Sequence, residues 1–275
     1  MSELEFSVAM CVYGGDDPEW FKAAVDSVTN QTRKPDEMVL VVDGLVPEEI
    51  DAIIRGLEEK ELFNVVRLPE NVGHGNARRK SLEVCTHPLV ALMDADDISA
   101  PDRFEKQLAF FQNDSELSVV GSNITEFIDA PENTVGAREV PALDADIKEY
   151  MKTRCPMNQV TAMFKKADVE RAGGYIDWYC EEDYYLWIRM ALAGMKFANA
   201  SENLVNVRVG KEMYGRRGGV KYFKSEAKLQ KYMLDNGIIG FATYTVNVIK
   251  RLIVQVLLPN RLRGWVFRKF ARKKV

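Results

Sequence analysis

The sequence predicts an α/β protein with a mostly parallel central sheet flanked by helices. Two observations carry this. Short apolar runs alternate with stretches of helical periodicity from residue 6 to residue 112, and 47% of the 275 residues are hydrophobic, enough to bury one large core. Residues 6–13 (FSVAMCVY) read as a buried strand, and 18–31 as a helix that starts at Pro18 and repeats Phe21, Ala24, Val25 and Val28 on one side. A second strand, 38–43 (MVLVVD), ends in Asp43-Gly44, and the helix over 47–60 sets Ile50, Ile53, Ile54 and Leu57 on one face. Strand 63–68, helix 75–85, strand 89–93 and helix 101–112 continue the alternation.

Beyond residue 122 the pattern weakens. The polar stretch 129–146 reads as a loop, 160–164 as a strand, 181–193 as a helix with Tyr184, Leu186, Trp187 and Met190 for packing, 204–209 as a strand, and 219–258 as mainly helical. Residues 244–258 are apolar but interrupted by Asn247, Lys250, Arg251 and Gln255, so they fall short of a membrane span. In 260–274 a helix would set Leu262, Trp265, Val266 and Phe270 near one side among Arg and Lys, the pattern either of an interfacial anchor or of a helix packed on the domain with a solvated basic end. The expected organisation is a domain over 1–240 and a basic amphipathic helical tail over 241–275.

Composition excludes several classes of function. Four cysteines (Cys11, Cys85, Cys155, Cys180) form no C-x-x-C pair and there are only two histidines, so neither a zinc knuckle, a disulfide framework nor a Ser-His-Asp set is expected. The N-terminus lacks a basic stretch ahead of its apolar run, which argues against a cleaved signal and for a reduced, cytoplasmic compartment. The net charge of −4 hides an asymmetry: residues 250–275 hold nine Lys or Arg and no acid, which leaves −13 on the rest. Such a chain suits an anionic membrane surface at its tail and no nucleic acid.

In a parallel α/β sheet, ligands bind beyond the carboxyl ends of the strands, where Tyr13, Asp43 and Asp94 fall. The sharpest signal is Asp94-Ala95-Asp96-Asp97. Two carboxylates one residue apart at a strand end offer the hard oxygen ligands that Mg²⁺ or Mn²⁺ prefers. Asp97 reads either as part of that set or, with Asp102, as a cap for the helix that Pro101 starts. Glu182 and Asp183 form a second acidic site at a helix start, a place that the helix dipole alone also favours for acids.

Several motifs occur together in order: SVAMCVY at 7–13, QT-x-x-PDE-x-VLVVDG at 31–44, NVGHGNAR at 71–78, MDADD at 93–97, AGGY at 172–175, EDYYLWIRM at 182–190 and RRGG at 216–219. On these residues the chain resembles the nucleotide-sugar-dependent glycosyltransferases of family 2, in particular bacterial members that build capsular polysaccharide and exopolysaccharide. The resemblance implies the GT-A fold, a Rossmann-like sheet flanked by helices, here with a C-terminal helical extension. It implies that Cys11, Tyr13 and Asp43 line the base pocket of a UDP-sugar, with Tyr13 stacking on the base and Asp43 accepting from its imide, and that Arg78 faces the nucleotide. Asp94, Ala95 and Asp96 would contact the donor, the two carboxylates holding Mn²⁺ or Mg²⁺ on its diphosphate. Asp183 of the Glu182-Asp183 pair would act as general base for an inverting transfer. Arg216 and Arg217 would close over the same diphosphate or meet the pyrophosphate of a lipid-linked acceptor.

The tail predicts peripheral association with the cytoplasmic face of the inner membrane, where a glycan on a polyprenyl diphosphate would be the acceptor, and the resemblance implies a role in capsule, exopolysaccharide or O-antigen assembly. Where relatives often read Asn-Pro-x-Asn-His, this chain has Cys155-Pro156-Met157-Asn158-Gln159, which leaves Asn158 and Gln159 to hydrogen-bond a sugar. Two other readings compete. A sugar nucleotidyltransferase would need a Gly-rich phosphate loop, but Gly14-Gly15 is followed by Asp16-Asp17, which repels phosphate. A non-catalytic sugar-nucleotide-binding subunit would not need both acidic sites.

Overall fold

The first four apolar runs form β1 (Phe6–Tyr13), β2 (Glu37–Asp43), β3 (Phe63–Arg67) and β4 (Leu89–Asp94), all parallel. The computed structural model describes residues 4–210 and 218–259. β1 lies between β2 and β4, in a register that sets Cys11 beside both Val41 and Asp94, and Tyr13 beside Asp43. Alternation along β1 then sorts its side chains. Phe6, Val8, Met10 and Val12 join one core with Phe21, Ile50, Ile54 and Phe104, from α1 (Pro18–Thr29), α2 (Glu48–Glu58) and α4 (Arg103–Asn113). Ala9 joins the opposite core with Ala77 and Leu82 of α3 (His74–Val84). Both faces of the sheet are therefore covered, as the near-continuous apolar strands require. The start of α1 follows its sequence signal: Pro18 occupies the first turn and Asp17 Oδ1 accepts from the N–H groups of Glu19 (2.9 Å) and Trp20 (3.1 Å).

The second half departs from a parallel sheet. It contains β5 (Ile98–Ser99), β6 (Leu117–Phe127), β7 (Thr134–Arg138), α5 (Asp144–Met151), a 3₁₀ turn (Gln159–Thr161), β8 (Met163–Lys165) and α6 (Lys166–Arg171). α7 (Glu182–Leu192), β9 (Lys196–Arg208), α8 (Val220–Asp235) and α9 (Phe241–Leu252) follow, α9 continuing as a π-helical turn (Ile253–Leu257). The sheet order is β3-β2-β1-β4-β8-β6-β9-β5, with β7 beside β6. β8 runs antiparallel to both β4 and β6, β5 and β7 are antiparallel to their partners, and β6 and β9 pair in parallel. The sheet is thus mixed, and parallel only where the sequence alternates cleanly.

Three expectations are corrected. The 129–146 stretch contains β7 and the start of α5 rather than a loop; β7 holds a glycine and is made a strand by pairing along the long β6. The strand expected over 160–164 is a 3₁₀ turn followed by a three-residue strand at 163–165. The strand expected over 204–209 is the end of the 13-residue β9. Asn199 and Asn203 break its apolar pattern, and Asn199 Nδ2 is satisfied inside the protein by the Pro141 carbonyl at 2.6 Å.

Candidate active site

A cavity of about 1100 Å³ opens over the carboxyl ends of β1, β2 and β4. Cys11, Tyr13, Asp43, Asp94, Ala95 and Asp96 line it, as does Glu182 from the start of α7. The Tyr13 ring is 48% exposed and free to stack on a planar ligand. Asp43 is buried, and its Oδ1 accepts from the Val72 N–H at 2.7 Å. Gly44 makes that placement workable: its φ is +85°, and a Cβ there would lie 2.7 Å from the Asn71 nitrogen. Burial pushes the Cys11 thiol up to about 12, so it offers a neutral packing surface.

Asp94 is the hinge of the site. Its Oδ1 accepts from Arg78 Nη2 at 2.6 Å, and Arg78 is almost wholly buried. Burial works against the guanidinium charge, but Asp94, together with Tyr175, Cys11 and Glu182, outweighs it and holds the Arg78 pKa above its ordinary value. Asp16, on the turn after β1, is raised to about 6 by burial and by the charges of Asp96 and Asp94. The cavity wall is therefore rich in acidic side chains. Among the described residues, no three His, Cys, Asp or Glu side chains gather closely enough to hold a cation alone. Asp94 and Asp96 fit Mg²⁺ or Mn²⁺ as a partial oxygen set that a donor's phosphates would complete.

Asp97 caps nothing. It is buried, its Oδ1 accepts from the Arg208 N–H at 2.8 Å, and burial followed by the charges of Asp96 and Asp94 pushes its carboxyl well above the usual range. Arg208 also donates to the Asp96 carbonyl at 3.1 Å, and its guanidinium lies 4.4 Å from the Trp20 ring centre and 4.6 Å from that of Phe127. The end of β9 thus clamps the acidic turn. Asp102 does stand at the N-terminus of α4, but its side chain makes no capping bond and pairs with Lys106 at 2.8 Å.

A second cavity, about 800 Å³, shares His74, Asp94 and Cys180 with the first. Asp183 faces this one. Its Oδ1 accepts from the Tyr184 N–H at 2.6 Å, and the Cys155 thiol faces its Oδ2 at 3.8 Å. With the Gln159 amide oriented to satisfy both of its ends, Nε2 donates to Asp183 Oδ2 at 3.0 Å and Oε1 accepts from Arg78 Nη1. A chain of contacts then runs Asp94, Arg78, Gln159, Asp183, from one cavity to the other. His74 stands where the cavities meet, and the Arg78 charge together with burial lowers its pKa to about 4, leaving a neutral imidazole. Burial and the Asp183 charge raise Glu182 to about 7.

The sequence-derived set divides between the cavities. Cys11, Tyr13, Asp43, Ala95, Asp96 and Glu182 line the first, Arg78 and Asp183 the second, and Asp94 both. Arg78 does not line the first cavity but meets its wall at Asp94. Arg216 and Arg217, and the expected helix over 260–274, lie outside the described residues. Asp16, His74 and Trp178 in the first cavity, and Arg138, Glu226 and Arg251 in the second, were not singled out by sequence reasoning. His74 sits inside the NVGHGNAR motif and was within reach of it; the others come from segments with no local signature.

The family model described as Glycosyl transferase family 2 matches residues 7–171. The chain is 34% identical over 269 residues to UDP-Gal:alpha-D-GlcNAc-diphosphoundecaprenol beta-1,3-galactosyltransferase of Escherichia coli, covering 98% of this chain and 97% of that protein. It is 33% identical over 264 residues to the amylovoran biosynthesis glycosyltransferase AmsE of Erwinia amylovora, covering 96% and 98%. Among solved structures, S. aureus TarS 1–349 in complex with UDP-GlcNAc aligns with a TM-score of 0.69 at 16% identity, over 97% of this chain and 76% of that one. The mannosyltransferase PcManGT from Pyrobaculum calidifontis, in complex with GDP-Man and Mn²⁺, aligns with a TM-score of 0.63 at 16% identity, over 94% and 71%. These two likenesses concern the fold, which is GT-A. With the motifs, the fold and the matched region in agreement, the chain belongs to glycosyl transferase family 2 and is a glycosyltransferase.

Proposed function

We propose that this glycosyltransferase moves a hexose or N-acetylhexosamine, with inversion, from a UDP-sugar to a hydroxyl of a glycan carried on a polyprenyl diphosphate. The observation that carries the reading is the meeting of two cavities at Asp94 and His74, one lined by Tyr13 and the acidic turn, the other by Asp183. The relatives lend support: by their names, the E. coli enzyme takes UDP-Gal and a diphosphoundecaprenol-linked GlcNAc, and the Erwinia enzyme serves amylovoran biosynthesis. Capsule, exopolysaccharide or O-antigen assembly at the cytoplasmic face of the inner membrane is the corresponding setting. The tail over 241–275, whose last sixteen residues hold seven Lys or Arg, is the part of the chain suited to that surface.

On this reading Tyr13 stacks on the uracil and Asp43 accepts its imide proton. Asp94 and Asp96 hold Mn²⁺ or Mg²⁺, which when bound supplies Lewis-acid neutralisation of the leaving diphosphate. Asp183 takes the proton of the acceptor hydroxyl as that oxygen attacks the anomeric carbon opposite the departing nucleotide. Gln159 and the Tyr184 N–H fix the orientation of its carboxylate, and the neutral His74 adds no competing charge. Arg216 and Arg217 are assigned to the diphosphate.

The test is acceptor-dependent nucleotide release. UDP released from a UDP-sugar only when a GlcNAc-diphosphate lipid is added supports the transferase reading. Pyrophosphate release from UTP and a sugar 1-phosphate identifies a nucleotidyltransferase, and UDP-sugar binding without turnover a donor-binding subunit. Asp96→Ala should remove the Mn²⁺-dependent part of the melting-temperature rise that UDP induces; an undiminished rise refutes the metal assignment.

A further inference from the structure

α9 and its π-helical continuation carry their polarity inside out. Asn247, Arg251 and Gln255, four residues apart, point into the protein. Asn247 Nδ2 donates to the Lys152 carbonyl at 2.9 Å and to Gln230 Oε1 at 2.8 Å, Arg251 pairs with Glu226 at 2.9 Å, and Gln255 Nε2 donates to Glu226. Val246, Ile249, Ile253 and Leu257 recur three and four residues apart on the opposite side, and are 48%, 51%, 45% and 65% exposed. A surface helix of a water-soluble protein has the reverse arrangement. A row of four large aliphatic side chains on one exposed stripe marks a contact surface.

Charge identifies what covers it. Lys250 is exposed beside the stripe, no acidic residue follows Asp235, and residues 260–275 add seven Lys or Arg. An apolar stripe edged and followed by cations matches an anionic bilayer, where aliphatic groups enter the acyl boundary and cations meet the headgroups. No helix among the described residues is long and apolar enough to cross a membrane, so the fit is to a helix lying in the surface. The inward side of the same helix, with Asn247, Arg251, Val254 and Gln255, walls the second cavity that Asp183 faces.

We propose that α9 itself seats on an anionic phospholipid bilayer through Val246, Ile249, Ile253 and Leu257. The second cavity is thereby held against the lipid surface, and a diphosphate-linked acceptor reaches Asp183 while its hydrocarbon chain stays in the membrane. The seating rests on the exposed stripe; the route of the acceptor rests on the lipid-linked reading given above.

The experiment is flotation of the full chain with vesicles of phosphatidylglycerol and phosphatidylethanolamine, beside an Ile249→Asp/Ile253→Asp double variant. The wild type should float, and the variant's partition should fall by at least about tenfold, with melting temperature, sedimentation and UDP binding unchanged. A wild type that does not float, or a variant that floats equally well on its basic tail alone, overturns the proposal. So does a wild-type dimer that the variant converts to monomer without loss of flotation, which would make the stripe a contact between copies of the chain. Transfer to a GlcNAc-diphosphate lipid in detergent judges the acceptor reading separately: its absence in both proteins condemns that reading and leaves the flotation result standing.

Discussion

The two cavities that meet at Asp94 are built by different means. The first is a product of register: β1, β2 and β4 are adjacent and parallel, so Tyr13, Asp43 and Asp94 arrive on one rim because their strands end there. The second is gathered from β7, the 155–159 segment, α7, α8 and α9, and is held by side-chain contacts across long separations, such as Asn247 to Lys152 and Gln159 to Asp183. Backbone geometry makes the first cavity hard to change without unmaking the sheet. The second can be altered one side chain at a time.

The largest test of that division is Asp183→Asn. General-base removal should lower turnover by roughly 10³-fold, while UDP affinity by calorimetry stays within about twofold, because Asp183 lines only the second cavity. Equal losses in turnover and UDP affinity would merge the two sites. The complementary change is Tyr13→Ala. Loss of base stacking, about 1–3 kcal/mol, should weaken UDP binding roughly 5- to 150-fold and leave turnover at saturating donor near wild type. A large loss of turnover at saturation would place Tyr13 in the chemistry instead.

This asymmetry also decides what could be read from the sequence. The first four strands, α1 to α4 and the rim residues were legible because local periodicity and strand ends specify them. The acidic turn was legible as a motif, but the clamp that holds it was not: Arg208 reaches Asp97 from 111 positions away, and nothing near either residue announces the other. Arg78 was legible through its motif, but its contacts to Asp94 and Gln159 were not. β7 and the first part of β9 were hidden because pairing with β6, rather than their own pattern, makes them strands. The inverted polarity of α9 was beyond periodicity alone, since a helical wheel shows two faces without saying which is buried.

Gln159 sharpens the comparison at the contact between the sites. Replacing it with alanine removes a hydrogen bond to a charged carboxylate, a loss of about 1.5 kcal/mol, so turnover should fall roughly tenfold with UDP affinity unchanged. Gln159→His, which can donate from one ring nitrogen and accept at the other, should recover most of it. Failure of the histidine variant to rescue, together with a normal melting temperature, would mean that Gln159 touches the acceptor rather than positioning Asp183.

A last expected effect, on stability rather than turnover, separates neighbours on one helix turn. Glu182 faces the first cavity and Asp183 the second, and burial together with the Asp183 charge raises Glu182 from its ordinary 4.5 to about 7. The folded chain therefore binds more protons than the unfolded one between those values. The stability this provides is complete below about pH 4.5 and is lost as pH rises through about 7, an effect of at most ~3 kcal/mol. Glu182→Gln is neutral throughout, so the variant should match the wild type near pH 4.5 and melt a few degrees higher at pH 8. Parallel melting curves for the two proteins across that range would show that Glu182 is not held protonated by burial and the Asp183 charge.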